Sequence, residues 1–218
     1  MYNKQLPVAA ALRSVSIAIF GVFVFSAAAI SADGKALYTT CSACHGQRAE
    51  GNPALGAPAI AGMQDWYLKS QLEAFALGRR GYKAGDAYGA QMRAAAKTLP
   101  TAADRAAVAA YIAKMPPVYG PPPKKADKAA LANGSTQYNA LCSSCHGSKG
   151  QGNQALGAPR LAGQNNVYLA RQLAAFRTGQ RGAAANDKLG KQMATMSKLL
   201  PAGKVEQDVL AYIATLKP

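Results

Sequence analysis

Two short segments hold every cysteine and every histidine of this 218-residue chain. They are Cys41-Ser-Ala-Cys44-His45 and Cys142-Ser-Ser-Cys145-His146. Three chemistries use cysteines at this spacing. A dithiol redox pair of the thioredoxin kind follows a strand in an α/β fold and does not require the adjacent histidine. Structural zinc needs four ligands in a tetrahedron, and each segment offers three, two of them adjacent. Covalent haem uses all three residues: the thiols add to the two vinyl groups, and the histidine that follows lies under the iron.

The sixth ligand of such an iron follows by elimination. No third histidine and no spare cysteine exists, which leaves methionine, lysine, tyrosine or an open site. Met1 lies in the leader. Sliding the chain against itself by 101 residues sets Met63 against Gln164, Met115 against Leu216 and Met196 against Ala95. Only Met92 and Met193 match each other. A pair of buried methionines is ordinarily core filler. The symmetry and the vacancy on iron make Met92 and Met193 the expected axial ligands, with Met196 as a spare in the second copy.

The elements that must position these residues come twice. The same 101-residue shift aligns "GNPALGAPAIAG" with "GNQALGAPRLAG", and "YLKSQLEAFALGRRG" with "YLARQLAAFRTGQRG". It also aligns "QMRAAAKTLP" with "QMATMSKLLP". The chain is thus a duplicated domain. We place the first copy at residues 32–115 and the second at 131–218. The proline-rich segment 116–130 joins them as an extended, semi-rigid linker.

Neither copy alternates as a strand would, and each reads as short helices. Asp65 is expected to cap a helix over Trp66–Leu77, with Leu68, Leu72 and Phe75 on one face. Its counterpart carries Leu169, Leu173 and Phe176. Thr101 and Asp104 resemble a capping box opening a helix with Val108, Tyr111, Ile112 and Met115 inward. Val205, Val209, Tyr212, Ile213 and Leu216 repeat that face. A further short helix should lead into each cysteine pair. So few helices make a thin core, which a cofactor would staple.

Residues 1–31 differ from the rest. Lys4 and Arg13 precede an uncharged run from Ser14 to Ala32, the pattern of an export signal or of an uncleaved membrane anchor. Either places the remainder in the periplasm, untethered or held to the inner membrane through residues 14–32. Haem attachment is completed outside the cytoplasm, in keeping with that leader. The net charge is +15, with most of the excess in the second half. The basic residues are scattered singly and form no recognition motif, so nucleic acid is not an expected partner. Together these features favour two covalently bound haem c groups over zinc or a dithiol.

The ordered motifs, Cys-x-x-Cys-His-Gly, Pro-x-[Ile/Leu]-Ala-Gly, Tyr-Leu-x-x-Gln-Leu, Met and Ala-Tyr-Ile, twice over, resemble the dihaem cytochrome c4 family. The resemblance implies an all-α fold of two tandem class-I cytochrome c lobes about a pseudo-twofold axis, preceded here by an N-terminal apolar helix. It implies that the Pro58 and Pro159 carbonyls orient His45 and His146. It implies that Tyr67 and Tyr168 lie near haem propionates, their alternative being ordinary amphipathic core. It also implies an electron carrier rather than an enzyme, passing electrons from a donor such as a bc1-type complex to a terminal oxidase. A saturated His–Met iron has no position for substrate. The alternatives are an electron-transfer subunit docked to a periplasmic dehydrogenase, and a dihaem peroxidase, which needs an open or switchable iron.

Overall fold

The computed structural model describes Met1, residues 33–119 and residues 127–217. The expected export or anchor helix and residues 120–126 of the linker lie outside the described residues. Among the described residues the chain is all-α, with two isolated antiparallel bridges, Asn52 to Ala57 and Asn153 to Ala158. The first lobe contains α1 (Gly34–His45), a 3-10 turn (Pro53–Leu55), α2 (Asp65–Ala76), α3 (Ala87–Lys97) and α4 (Ala102–Ala113). The second contains α5 (Lys128–Leu141), α6 (Ser143–His146), α7 (Asn166–Arg177), α8 (Lys188–Leu199) and α9 (Lys204–Ile213).

Matching side-chain caps start matching helices. Asp33 caps α1 and Asp127 caps α5, accepting from Lys35 N at 2.9 Å and Ala129 N at 3.2 Å. Asp86 and Asp187 cap α3 and α8, accepting from Gly89 N at 2.9 Å and Gly190 N at 2.8 Å. The Thr101–Asp104 capping box is present at α4. The cap expected from Asp65 is not formed: Asp65 is the first helical residue, and Gln64 precedes it without a capping bond. The reason is that the Gln64 side chain is committed to the second lobe. Because Asp127 caps α5, residues 128–130 of the expected linker form its first turn.

In each lobe the first and last helices cross at a glycine. A Cβ on Gly34 would run into the Ala107 carbonyl, and one on Gly134 into that of Asp208. This close approach lets Tyr38 pack on Tyr111 at 5.8 Å and Tyr138 on Tyr212 at 5.6 Å, between ring centroids. The expected apolar faces fill the cores. Leu68, Val108 and Ile112 are buried in the first lobe, Leu169, Val209 and Ile213 in the second.

One local difference separates the copies. Two residues lie between Tyr38 and Cys41, but three between Tyr138 and Cys142. The tyrosines and the histidines are anchored alike in both lobes, so the extra residue must be absorbed between them. Helix α1 runs unbroken to His45, whereas the second lobe breaks at Cys142 (φ −119°) into α5 and α6.

Candidate functional site

Cys41 and Cys44 lie near the end of α1, which closes at His45, whereas Cys142 sits at the break before α6, which carries Cys145 and closes at His146. Gly46 and Gly147 then turn the chain away at φ 84° and 82°. The Tyr38 hydroxyl donates to the Gly46 carbonyl, and the Tyr138 hydroxyl to that of Gly147, each at 2.6 Å. Burial pushes the Tyr38 hydroxyl up to about 12 and moves Tyr138 the same way, so both stay protonated as donors. Burial also raises the Cys41 thiol, and the Cys142 thiol to about 11. Both are therefore thiols rather than thiolates before attachment.

The histidines are buried and oriented. His45 Nδ1–H donates to the Pro58 carbonyl at 2.9 Å, and His146 Nδ1–H to that of Pro159 at 2.8 Å. With the proton on Nδ1, Nε2 keeps the lone pair that a metal requires. Burial lowers both imidazole pKa values, partly offset by these carbonyls, and holds the rings neutral. The accepting peptides are packed against glycine. A Cβ on Gly51 would lie 2.5 Å from Ala59 N and 2.7 Å from Pro58 C. One on Gly152 would lie 2.7 Å from Arg160 N and 2.8 Å from Pro159 C.

Both motifs open into one continuous cavity of about 900 Å³. Met92 on α3 lines it with Cys41, Cys44 and His45; Met193 on α8 lines it with Cys142, Cys145 and His146. Met196 also lines it, as does its counterpart Ala95. Among the described residues no three His, Cys, Asp or Glu side chains converge on a metal position. Iron held here needs further donors, which a tetrapyrrole supplies. The cavity also presents cations: Nε of Arg79 and of Arg171 are buried on its wall with no hydrogen-bond partner among the described residues. Unpaired guanidinium nitrogens fit the carboxylates of a haem edge.

Residues 31–116 and again 131–217 match the family described as cytochrome c. The chain is 33% identical to cytochrome c4 of Azotobacter vinelandii, over 71% of this chain and 76% of the relative. It is 32% identical to a thiosulfate dehydrogenase electron acceptor of Thiomonas intermedia, over 82% and 80%. Reduced cytochrome c4 of Pseudomonas stutzeri superposes with a TM-score of 0.65 at 28% identity, over 84% of this chain and 97% of that structure. The chain belongs to the cytochrome c4 family. It is a dihaem electron carrier, its haems attached through Cys41 and Cys44 and through Cys142 and Cys145.

The lobes of this chain pack through reciprocal contacts, as a pseudo-twofold axis requires. Arg80 donates to Gln71 of its own lobe at 2.7 Å and crosses to Gln172 at 2.7 Å and the Tyr168 hydroxyl at 3.3 Å. Arg181 donates to Gln172 at 2.8 Å and crosses to Gln71 at 3.0 Å and the Tyr67 hydroxyl at 3.1 Å. Each guanidinium lies 4.4 Å over a phenylalanine, Phe75 or Phe176. Burial raises the pKa of Tyr168, but Arg80, Arg181 and Arg171 around it outweigh burial and lower it. Arg171 also donates to the Gly56 carbonyl of the first lobe and lies 4.0 Å over the Tyr88 ring. Tyr67 and Tyr168 thus line the cavity and tie the lobes together. Sequence reasoning missed Gln71, Arg80, Gln172 and Arg181. The signal was there: all four are polar residues identical across the repeat, on α2 and α7 and just past their ends.

Proposed function

We propose that this protein is a periplasmic one-electron carrier of fairly high potential. It takes electrons from a quinol-oxidising complex of the bc1 type, or a comparable donor, and passes them to a terminal oxidase. The observation that carries this reading is that, in each lobe, a histidine whose Nδ1 is already engaged and a methionine from a capped helix line the same cavity. Iron would be held by His45 with Met92 in the first lobe and by His146 with Met193 in the second. The haems supply a ferric/ferrous couple, which a thioether ligand shifts to higher potential. Around it, the Pro58 and Pro159 carbonyls fix the imidazoles, and Arg79 and Arg171 provide charge for propionates. The excess of basic residues in the second half suits brief docking on an acidic partner face. Residues 14–32 would serve as signal or as membrane tether.

A second reading is favoured by the relative named as a thiosulfate dehydrogenase electron acceptor. In it, the upstream donor is a periplasmic dehydrogenase acting on a sulfur substrate. Stopped-flow mixing separates the two. Oxidised protein is mixed with quinol and a bc1-type complex, or with thiosulfate and its dehydrogenase, and reduced protein with a terminal oxidase. Rapid, salt-sensitive reoxidation by the oxidase is expected. No reoxidation, or tight carbon monoxide binding by the reduced wild type, would overturn the carrier assignment in favour of an open-iron enzyme.

A further inference from the structure

The peptide bond that orients each proximal histidine is held by a glutamine from the opposite lobe. In the first lobe the Pro58–Ala59 peptide accepts from His45 Nδ1–H through its carbonyl at 2.9 Å. Its N–H donates across the interface to Gln164 Oε1 at 3.1 Å. In the second lobe the Pro159–Arg160 peptide accepts from His146 at 2.8 Å. Its N–H donates across the interface to Gln64 Oε1 at 3.2 Å. Both chains therefore run glutamine oxygen, peptide N–H, peptide carbonyl, imidazole Nδ1–H.

The two glutamines are not sequence equivalents. Gln164 aligns with Met63, and Gln64 with Asn165. A merely duplicated structural residue would sit at matching positions. Here the interface recruits a different residue from each lobe to the same chemical task. Their second bonds differ as well. Gln164 Nε2 donates to the Ala59 carbonyl at 2.7 Å, gripping that residue from both sides. Gln64 Nε2 donates to the Gln151 carbonyl at 2.8 Å. Gly152 makes room for this grip, since a Cβ there would lie 2.6 Å from Gln64 Nε2.

We propose that Gln164 and Gln64 are positioning residues that let each lobe set the basicity of the other lobe's proximal histidine, through a polarised peptide bond. The inference rests on His45 and His146 being iron ligands. An acceptor on the peptide N–H draws electron density toward the carbonyl oxygen, because hydrogen bonds in series polarise one another. The stronger acceptor pulls harder on Nδ1–H, and the imidazole becomes a better donor at Nε2. A more basic ligand favours ferric iron and lowers the potential of that haem. Because the glutamine belongs to the other lobe, any loosening of the interface raises both potentials. A docking partner that pries at the lobe contact would then alter the driving force for transfer.

The test is a crossed pair of variants in the full dihaem protein. Gln164→Met keeps the side-chain length and removes the acceptor, and Gln64→Met does the same from the other side. Spectroelectrochemistry gives the two midpoint potentials, and paramagnetic proton NMR assigns each couple through its own histidine ring N–H. The wild-type spectrum first checks the ligation: two hyperfine-shifted Nδ1–H signals support it, and their absence overturns both the ligation and this inference. With ligation in place, Gln164→Met is expected to raise only the first-lobe couple and Gln64→Met only the second. Exchange of the Ala59 amide should quicken about fivefold in Gln164→Met, as loss of one hydrogen bond implies. Gln164→Glu, which retains an acceptor, should not raise the first-lobe couple. Shifts confined to the mutated lobe, equal shifts of both couples, or no shift would each overturn the proposal.

Discussion

Arg80 of the first lobe donates to the Gln172 side chain of the second at 2.7 Å, and Arg181 returns the bond to Gln71 at 3.0 Å. The two arginines hold the lobes by a crossed pair of charge-assisted bonds, each worth roughly 1.5–3 kcal/mol when the donor is charged. Replacing both by methionine is expected to separate the lobes without unfolding either. Small-angle scattering should show a larger radius of gyration, and each haem should cease to respond to the charge on the other. Scattering and redox coupling that match wild type would mean that the other cross-lobe contacts, the Gln64, Gln164 and Arg171 bonds among them, suffice to hold the interface.

Met92 and Met193 are each expected to govern one haem. Met92→Ala should lower the first-lobe potential and admit imidazole or cyanide to that iron; Met193→Ala should do the same in the second lobe. Met196 also lines the cavity, so Met196→Ala is the necessary comparison and is expected to leave both potentials in place. Optical titration with exogenous ligand checks all three. If Met196→Ala opens the second haem and Met193→Ala does not, the second lobe uses the spare methionine.

The cysteine and histidine chemistry was legible because nothing else in the sequence competes for it, and the duplication singled out Met92 and Met193, both of which line the cavity. Helix faces followed from spacing, and Val108, Ile112, Val209 and Ile213 are buried as their periodicity requires. The N-terminus of α2 was misjudged because Gln64 answers to a residue 96 positions away, which no local capping rule registers. The break at Cys142 was visible as one extra residue, but it takes the fixed Tyr138–Gly147 bond to turn an insertion into a broken helix. The interface arginines were hidden for a general reason: a guanidinium on a helical repeat looks solvated until a second lobe covers it.

Acid should weaken both lobes through two aspartates. The Thr101 hydroxyl and N–H hold the Asp104 carboxyl below its usual range, and Asn133 and Lys204 do the same for Asp208. Both are depressed in the folded state, so unfolding makes them bind protons more readily. Their contribution is fully present above the ordinary carboxylate pKa and is lost as pH falls through the lower folded value. Thermal melts between pH 6 and pH 3 should show wild type losing stability on acidification. Asp104→Asn and Asp208→Asn should start less stable and show a shallower fall. Parallel curves for wild type and variants would remove these two groups from the acid response.

The carbonyls that close the methionine helices are capped by arginines from different places in the two lobes. In the first, Arg105 of α4 donates to the Leu99 carbonyl at 2.7 Å. In the second, the equivalent of Arg105 is Glu206, and the arginine comes from α7 instead. Arg177 donates to the carbonyls of Leu200 and Ser197, both at 2.9 Å, and pairs with Glu206 in a mostly buried contact. Removing Arg177 would strand a buried carboxylate as well as two carbonyls, so Arg177→Ala should destabilise the second lobe by roughly 3–5 kcal/mol. Arg105→Ala strands only carbonyls and should cost the first lobe about 1–3 kcal/mol. The double variant Arg177→Met with Glu206→Leu removes the charge along with its partner and should regain part of the loss. Guanidinium denaturation followed at the two haem bands reads the lobes together, and strict additivity of the Arg177 and Glu206 variants would show that the pair is not coupled.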